Sequence, residues 1–333
     1  MKQKIPRIFL LPTVAIALML AQTVSAAAPL SIIDLGNLGG PSSVAQDIND
    51  RGQIVGNSEL ASDPTHTSHA FLWQNGSMTD LGTLGGSYSD AVAINARGQI
   101  VGTSLSATAY HAFLWENGSM TDLGTLGGQW SQGNYINARG QVVGWSQTAK
   151  GGEHAFLWEN GTMTDLGTLG GPSSTAFGIN ARGQVVGISD TGSGAQHAFL
   201  WKNGRMTDLG TLGGSTSLAS AINARGQIVG HSETSLGDTH AVLWQNGAVT
   251  DLGTLGGPFS QAEGINERGQ IVGYSDTGAG AFHAFLWEKG RLTDLGTSPN
   301  GVYSLALAIN ERGQVAGWSD NGTSLAQAVL WTK

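Results

Sequence analysis

Three polar side chains recur together along this chain: a serine closing one apolar run, a histidine opening the next, and an aspartate in the segment after that. Between residues 184 and 208 they are Ser189, His197 and Asp208. These residue types could serve as the nucleophile, general base and orienting acid of a hydrolytic triad. The set is repeated, however, with histidines at His69, His111, His154, His197, His240 and His283, and Gln327 at the seventh place. Glutamine can hydrogen-bond but cannot take a proton as a general base. Catalysis needs one asymmetric site, so Ser189, His197, Asp208 and their equivalents read as a structural hydrogen-bond network, and no catalytic residue is assigned.

The same histidines do not read as metal ligands, because no His-x-His or His-x-x-x-His pair exists and equivalent positions on successive units lie on a wide ring. The loops Asp190-Thr-Gly-Ser-Gly194 and Asp276-Thr-Gly-Ala-Gly280 lack the alternating acidic ligands of a calcium loop. No metal and no cofactor is expected. The glycine-rich run Asp-Leu-Gly-Thr-Leu-Gly-Gly lacks the Lys-Ser/Thr of a phosphate loop and reads as a crossover. Arg51, Arg97, Arg139, Arg182, Arg225, Arg268 and Arg312 recur in one turn and predict a basic ring on one face, read first as paired, solvated turn residues and second as an anion site.

The elements that position these residues follow from the period. Asp-Leu-Gly recurs at Asp34, Asp80, Asp122, Asp165, Asp208, Asp251 and Asp294, spaced by 46, 42 and then 43 residues. A period in the low forties is that of a four-stranded propeller blade. With 51 glycines, no cysteine and 12% charged residues, the composition also points to many short strands joined by tight turns. In one unit the strands fall at 174–180, 184–189, 197–201 and 206–209. Gly183 supplies a left-handed turn residue, and Asn203-Gly204 fits a two-residue hairpin turn.

The middle of the first strand is small in every unit, at Ala45, Ala91, Gly133, Ala176, Ala219, Ala262 and Ala306, as the crowded strand beside a central channel requires. The last unit stops at its third strand, Gln327–Trp331, while an orphan fourth strand, Leu30–Leu35, precedes the first. The expected fold is therefore an all-β, seven-bladed β-propeller in one domain, residues 29–333, whose N-terminal strand completes the last blade.

The His-Ala-Phe motif, as at His69-Ala70-Phe71 and His283-Ala284-Phe285, with Ile-Asn-x-Arg-Gly-Gln and Asp-Leu-Gly-Thr-Leu-Gly-Gly, resembles the HAF family of extracellular repeat proteins. That resemblance covers nearly all of the chain after residue 26 and implies the repeat and export, with no activity to carry over. Two units depart from it: His240-Ala241-Val242 loses the aromatic, and Gln327-Ala328-Val329 loses the histidine as well.

Lys2, Lys4 and Arg7, the apolar run Ile8–Ala21 and the small residues Val24-Ser25-Ala26 read as a cleaved signal peptide over residues 1–26. The mature chain then carries 13 basic against 24 acidic residues, a net charge of −11. Nucleic acid and anionic membrane are unsuitable partners for that charge. A secreted, periplasmic or extracellular monomer is expected.

The two connections that vary between units share one face of a propeller and hold most of the aromatics outside the motifs. Tyr88, Trp130, Trp145, Phe259, Tyr274, Tyr303 and Trp318 are the candidate binding residues, with Tyr110 and Phe282 nearby in sequence. A binding protein for glycan or for a cell-surface protein is the first reading. A hydrolase or lyase using unrepeated carboxylates (Asp63, Asp90, Glu153, Glu233, Asp238 or Glu263) is the second, and a structural component of a surface or matrix is the third.

Overall fold

The computed structural model describes residues 31–61, 67–322 and 326–332. The expected signal peptide, Leu30 and Asp63 lie outside the described residues. Among the described residues all 28 elements are β-strands, β1 to β28 in chain order. Among the described residues no helix is long and apolar enough to cross a membrane.

One unit shows how the sequence builds its sheet. β14 (Gly170–Ile179), β15 (Val185–Thr191), β16 (Gln196–Lys202) and β17 (Arg205–Asp208) pair antiparallel in order. Asn203 and Gly204 take φ of +53° and +77°, the pair of left-handed residues that a tight hairpin needs. The first strand starts at Gly170, earlier than its apolar pattern indicates. Thr168 Oγ1 donates to the Gly171 carbonyl, and the Leu169 N–H donates to Ser189 Oγ, so the crossover is tied along β15.

Ala176, Gly187 and Phe199 lie in register across three strands. A Cβ on Gly187 would collide with the Thr175 carbonyl oxygen and press on the Phe199 ring, so only glycine fits beneath that ring. The core lies between neighbouring sheets, where Val143, Ala155 and Leu166 of one unit meet Ala176, Ile179, Val185 and Phe199 of the next. Both faces of a sheet are thus buried, which explains the uninterrupted apolar run Phe199-Leu200-Trp201.

The two units that lack the motif phenylalanine fill its place from two residues further on. Trp244 and Trp331 are 4% and 0% exposed, whereas the equivalent Trp201 is only partly buried beside its intact Phe199. The indole replaces the missing ring, but each buried Nε1–H has no hydrogen-bond partner. Such a group costs about 1–3 kcal/mol.

The strands form five four-stranded sheets and one eight-stranded sheet, whose halves meet at a single parallel bridge between Gln196 and Thr216. β1 (Ser31–Asp34) pairs antiparallel with β28 (Ala326–Thr332), giving the order β1-β28-β27-β26 with β27 (Val315–Asp320) and β26 (Ser304–Ile309). Leu35, just after β1, packs with Ala316 and Ala328 of the last unit against Ala45, Ile48 and Phe71 of the first.

Two polar devices join each unit to the next. In the fourth unit Asn180 Oδ1 accepts the N–H groups of Arg182 and Gln184, and its Nδ2 donates to the Asn223 carbonyl of the following unit at 3.1 Å. The relay runs from Asn49 to Asn95, Asn137, Asn180, Asn223, Asn266 and Asn310, and Asn310 Nδ2 returns to the Asn49 carbonyl at 3.2 Å. On the other side, Ser174 Oγ accepts the Ala155 N–H of the preceding unit and donates to the Gly167 carbonyl. Ser43 Oγ accepts the Ala328 N–H in the same way, across the junction of last and first units.

Candidate functional site

The repeated polar residues separate into two devices. His197 Nδ1 meets Asp208 at 2.7 Å, and the other five histidines meet Asp80, Asp122, Asp165, Asp251 and Asp294 at 2.7–2.9 Å. Each aspartate also accepts a backbone N–H in the crossover, as Asp208 does from Gly210. Ser189 is in strand register with His197 but donates to the Ser173 carbonyl and accepts from Leu169. The serine therefore fixes the crossover and is no member of a network with histidine. The arginine expectation is also corrected: none of the seven turn arginines forms a salt bridge with another described residue, and the turns are held by Asn Oδ1 accepting arginine backbone N–H groups.

The candidate aromatics do not form one platform. Phe259 and Tyr274 stack with centroids 5.8 Å apart, and Phe282 meets both rings edge-on. Tyr303 is exposed and Trp318 half-buried, and neither makes a ring contact with that group. Tyr88, Trp130 and Trp145 line a cleft of about 390 Å³ at the junction of the second and third units, with Tyr110, Asp90, Thr103, Ser131 and Gln132.

Strand register explains the convergence at this cleft. Tyr88 directly precedes the first-strand serine of the second unit, and Trp130 precedes that of the third; both crossovers are pinned by those serines at Ser89 and Ser131. Tyr110 opens the second unit's third strand and sets its ring edge-on to Tyr88, with centroids 5.8 Å apart and planes at 76°. His111 Nδ1 bonds Asp122 while its Nε2 bonds the Gln129 carbonyl at 3.1 Å, so the histidine holds the crossover that carries Trp130. Trp145 Nε1 donates to Gln132 Oε1, and Gln132 Nε2 donates in turn to Asn134 Oδ1. Tyr110 and Trp130 stand at the open rim, 44% and 43% exposed.

Beneath the rings, Asp90 pairs in register with Thr103. Asp90 Oδ1 and Thr103 Oγ1 are shut from water and have no hydrogen-bond partner among the described residues. Burial pushes the Asp90 carboxyl up to about 7. Asp90 also lines a channel cavity of about 440 Å³, together with Asp47, Glu263, Gln132 and Asn134. There burial raises Asp47 to about 6 and Glu263 to about 7. Asp47 Oδ2 accepts the Ile94 N–H of the next unit.

Asp47, which directly precedes Ile48-Asn49, was not among the candidate acids. Of the acids that were, Glu233 is engaged by the N–H and hydroxyl of Ser215, which hold its carboxyl below the usual range. Glu153 and Asp238 line neither the cleft nor the channel cavity.

No family model matches the chain, and no curated protein matches it. Solved structures do. The β-propeller domain of the Trilobed protease from Pyrococcus furiosus, which has an open velcro topology, aligns at a TM-score of 0.59 and 10% identity, over 87% of this chain and 95% of that one. Puromycin hydrolase aligns at 0.61 and 15% identity over 90% of this chain, and YCF48 bound to D1 peptide at 0.54 and 11% over 92%. The chain spans 65% of TolB from Acinetobacter baumannii and 53% of the puromycin hydrolase. At these identities the likeness establishes the β-propeller scaffold alone.

Proposed function

We propose that this chain is an exported seven-bladed β-propeller of the HAF repeat type that binds carbohydrate on the face carrying its variable connections. The cleft at the second and third units carries this reading. Four aromatic rings converge there on a groove with a polar floor, the arrangement in which rings stack on sugar faces while buried acceptors take hydroxyl hydrogens. The blade count is supported by the asparagine relay that returns from Asn310 to Asn49, and the ring closure by the β1–β28 pairing.

Binding is favoured over hydrolysis because Asp90 is the one acidic residue lining the cleft, whereas glycoside hydrolysis calls for two carboxyl groups about 5–9 Å apart. The test is a glycan array with the mature protein and with Trp130→Ala, Trp145→Ala and Trp318→Ala. Loss of signal in the first two and its retention in the third is expected. Equal retention in all three excludes the cleft as the carbohydrate site.

A further inference from the structure

We propose that the cleft between the second and third units is selective for an amino sugar with a free ammonium group, seated among Tyr88, Tyr110 and Trp130 and neutralised by Asp90. This rests on the carbohydrate reading above and names the chemistry that reading leaves open.

The lining residues carry one acidic group and no basic one. Of the polar groups lining the cleft, Ser131 and Gln132 are already engaged in hydrogen bonds within the protein, which leaves Asp90 and Thr103 to meet a ligand. Asp90 Oδ1 and Thr103 Oγ1, facing each other across paired strands, both lack partners and both are closed from water. A carboxylate oxygen in that state is costly to the protein and is relieved by a hydrogen-bonded cation. Burial already holds this carboxyl near neutrality in its proton affinity, so an incoming cation would displace the proton instead of leaving it.

The walls suit the same ligand. Tyr88 and Tyr110 stand close to perpendicular, so their faces bound one corner, and the exposed Trp130 lies on the crossover opposite. Ring faces attract a cation by their negative quadrupole, most strongly where water is excluded. A quaternary ammonium would satisfy the rings but has no N–H for Asp90 Oδ1 and Thr103 Oγ1; a primary ammonium satisfies both. Both oxygens are shut from water, so a ligand reaches them only as lining side chains move, and Tyr110 and Trp130 are the exposed residues of that lining. An acetylated amine loses the charge and adds bulk where the floor is closed.

The same positions elsewhere lack this combination. At the fourth and fifth units Asp90, Tyr110 and Trp130 are replaced by Thr175, Gln196 and Thr216, and at the sixth unit the equivalent of Asp90 is Gln261. The inference therefore concerns one junction.

The experiment is calorimetric titration of the mature protein at about pH 6.5, where an amine of the α-amino kind is protonated. The probes are glucosamine hexamer, N-acetylglucosamine hexamer and cadaverine. The glucosamine hexamer should bind at least about tenfold more tightly than its acetylated counterpart, and Asp90→Asn should remove at least about tenfold of that affinity. Asp90→Asn replaces a buried, unpartnered carboxyl by a neutral isostere and should fold; Trp130→Ala, an exposed position, is the second variant and should weaken both hexamers. Equal affinity for the two hexamers, or indifference to Asp90→Asn, overturns the ammonium inference and leaves the carbohydrate reading standing. Cadaverine binding that depends on Asp90, with neither hexamer bound, supports the ammonium inference and overturns the carbohydrate reading. No binding by any of the three overturns both.

Discussion

The junction of the second and third units and the junction of the fourth and fifth use the same positions in different ways. Gln196 and Thr216 bring their backbones into a parallel bridge, zipping two sheets into one of eight strands. Tyr110 and Trp130 occupy the equivalent positions and instead project exposed rings over a cleft. The difference lies in side-chain size and chemistry on an otherwise shared frame. A repeat can therefore keep its period, turns and inter-unit hydrogen bonds while lining the opening at one seam with aromatic rings and at the other, where Pro172, Asp190, Gln196, Ser215 and Thr216 border a cavity of about 450 Å³, with small and polar groups.

The cores under the two seams differ too. Phe156 fills the space between the second and third units, whereas Val242 and Trp244 fill the corresponding space between the fourth and fifth. Phe156→Ala and Trp244→Ala should each cost about 3–5 kcal/mol in urea unfolding, the largest effects expected here. If Phe156→Ala cost much less than Trp244→Ala, the open seam would be the softer of the two and the shared-frame account would fail. Phe156→Val should cost less than Phe156→Ala, because Trp158 can swing inward as Trp244 does; its fluorescence should shift to the blue. Unchanged emission would mean that the indole follows the fold of its own unit and not the vacancy beside it.

Asp90 gives the open seam a pH dependence that Thr175 cannot give the bridged one. A carboxyl raised to about 7 in the folded chain, against 3.8 for the unperturbed group, binds a proton more tightly folded than unfolded. Stability is then fullest below about pH 4 as far as this group is concerned and declines as pH rises through about 7. Asp90→Asn should raise the melting temperature at pH 8 more than at pH 5. Tyr88 is itself raised to about 12, chiefly by burial and then by the Asp90 charge, so it stays protonated across this range. Asp47 and Glu263 keep titrating in the variant, so a residual slope is expected; a wild-type slope left whole would show that Asp90 is hydrated.

Much of this was legible in the sequence because the repeat makes its own alignment. The Asn203-Gly204 hairpin, the small residues of the first strand and the N-terminal strand beside the last unit all follow from counting equivalent positions. Polar partners were less legible. Ser189 and His197 are adjacent in register, yet the serine bonds a backbone that returns from the preceding crossover, a contact fixed by the path of the chain between sheets. Asn180 reads locally as a strand end followed by a turn, and only the stacking of sheets reveals that its amide reaches Asn223. The aromatic face was visible as composition, but its division into a cleft and a separate stack depends on which crossovers meet which third strands.

The smallest expected effect separates the seams most finely. Six histidine–aspartate pairs are partly exposed, and the seventh unit does without one at Gln327, so a single pair should contribute no more than about 0.5 kcal/mol. His197→Gln should accordingly leave melting and ligand titration close to wild type. His111→Gln should leave melting equally unmoved, yet His111 also holds the Gln129 carbonyl and with it the crossover that presents Trp130. Its loss should lower the affinity of the cleft severalfold through a misplaced ring, with His111→Asn no better because its amide is too short to span Asp122 and Gln129 together. Matching titrations for the two glutamine variants would reduce His111 to one more scaffold histidine and leave the rings alone to define the open seam.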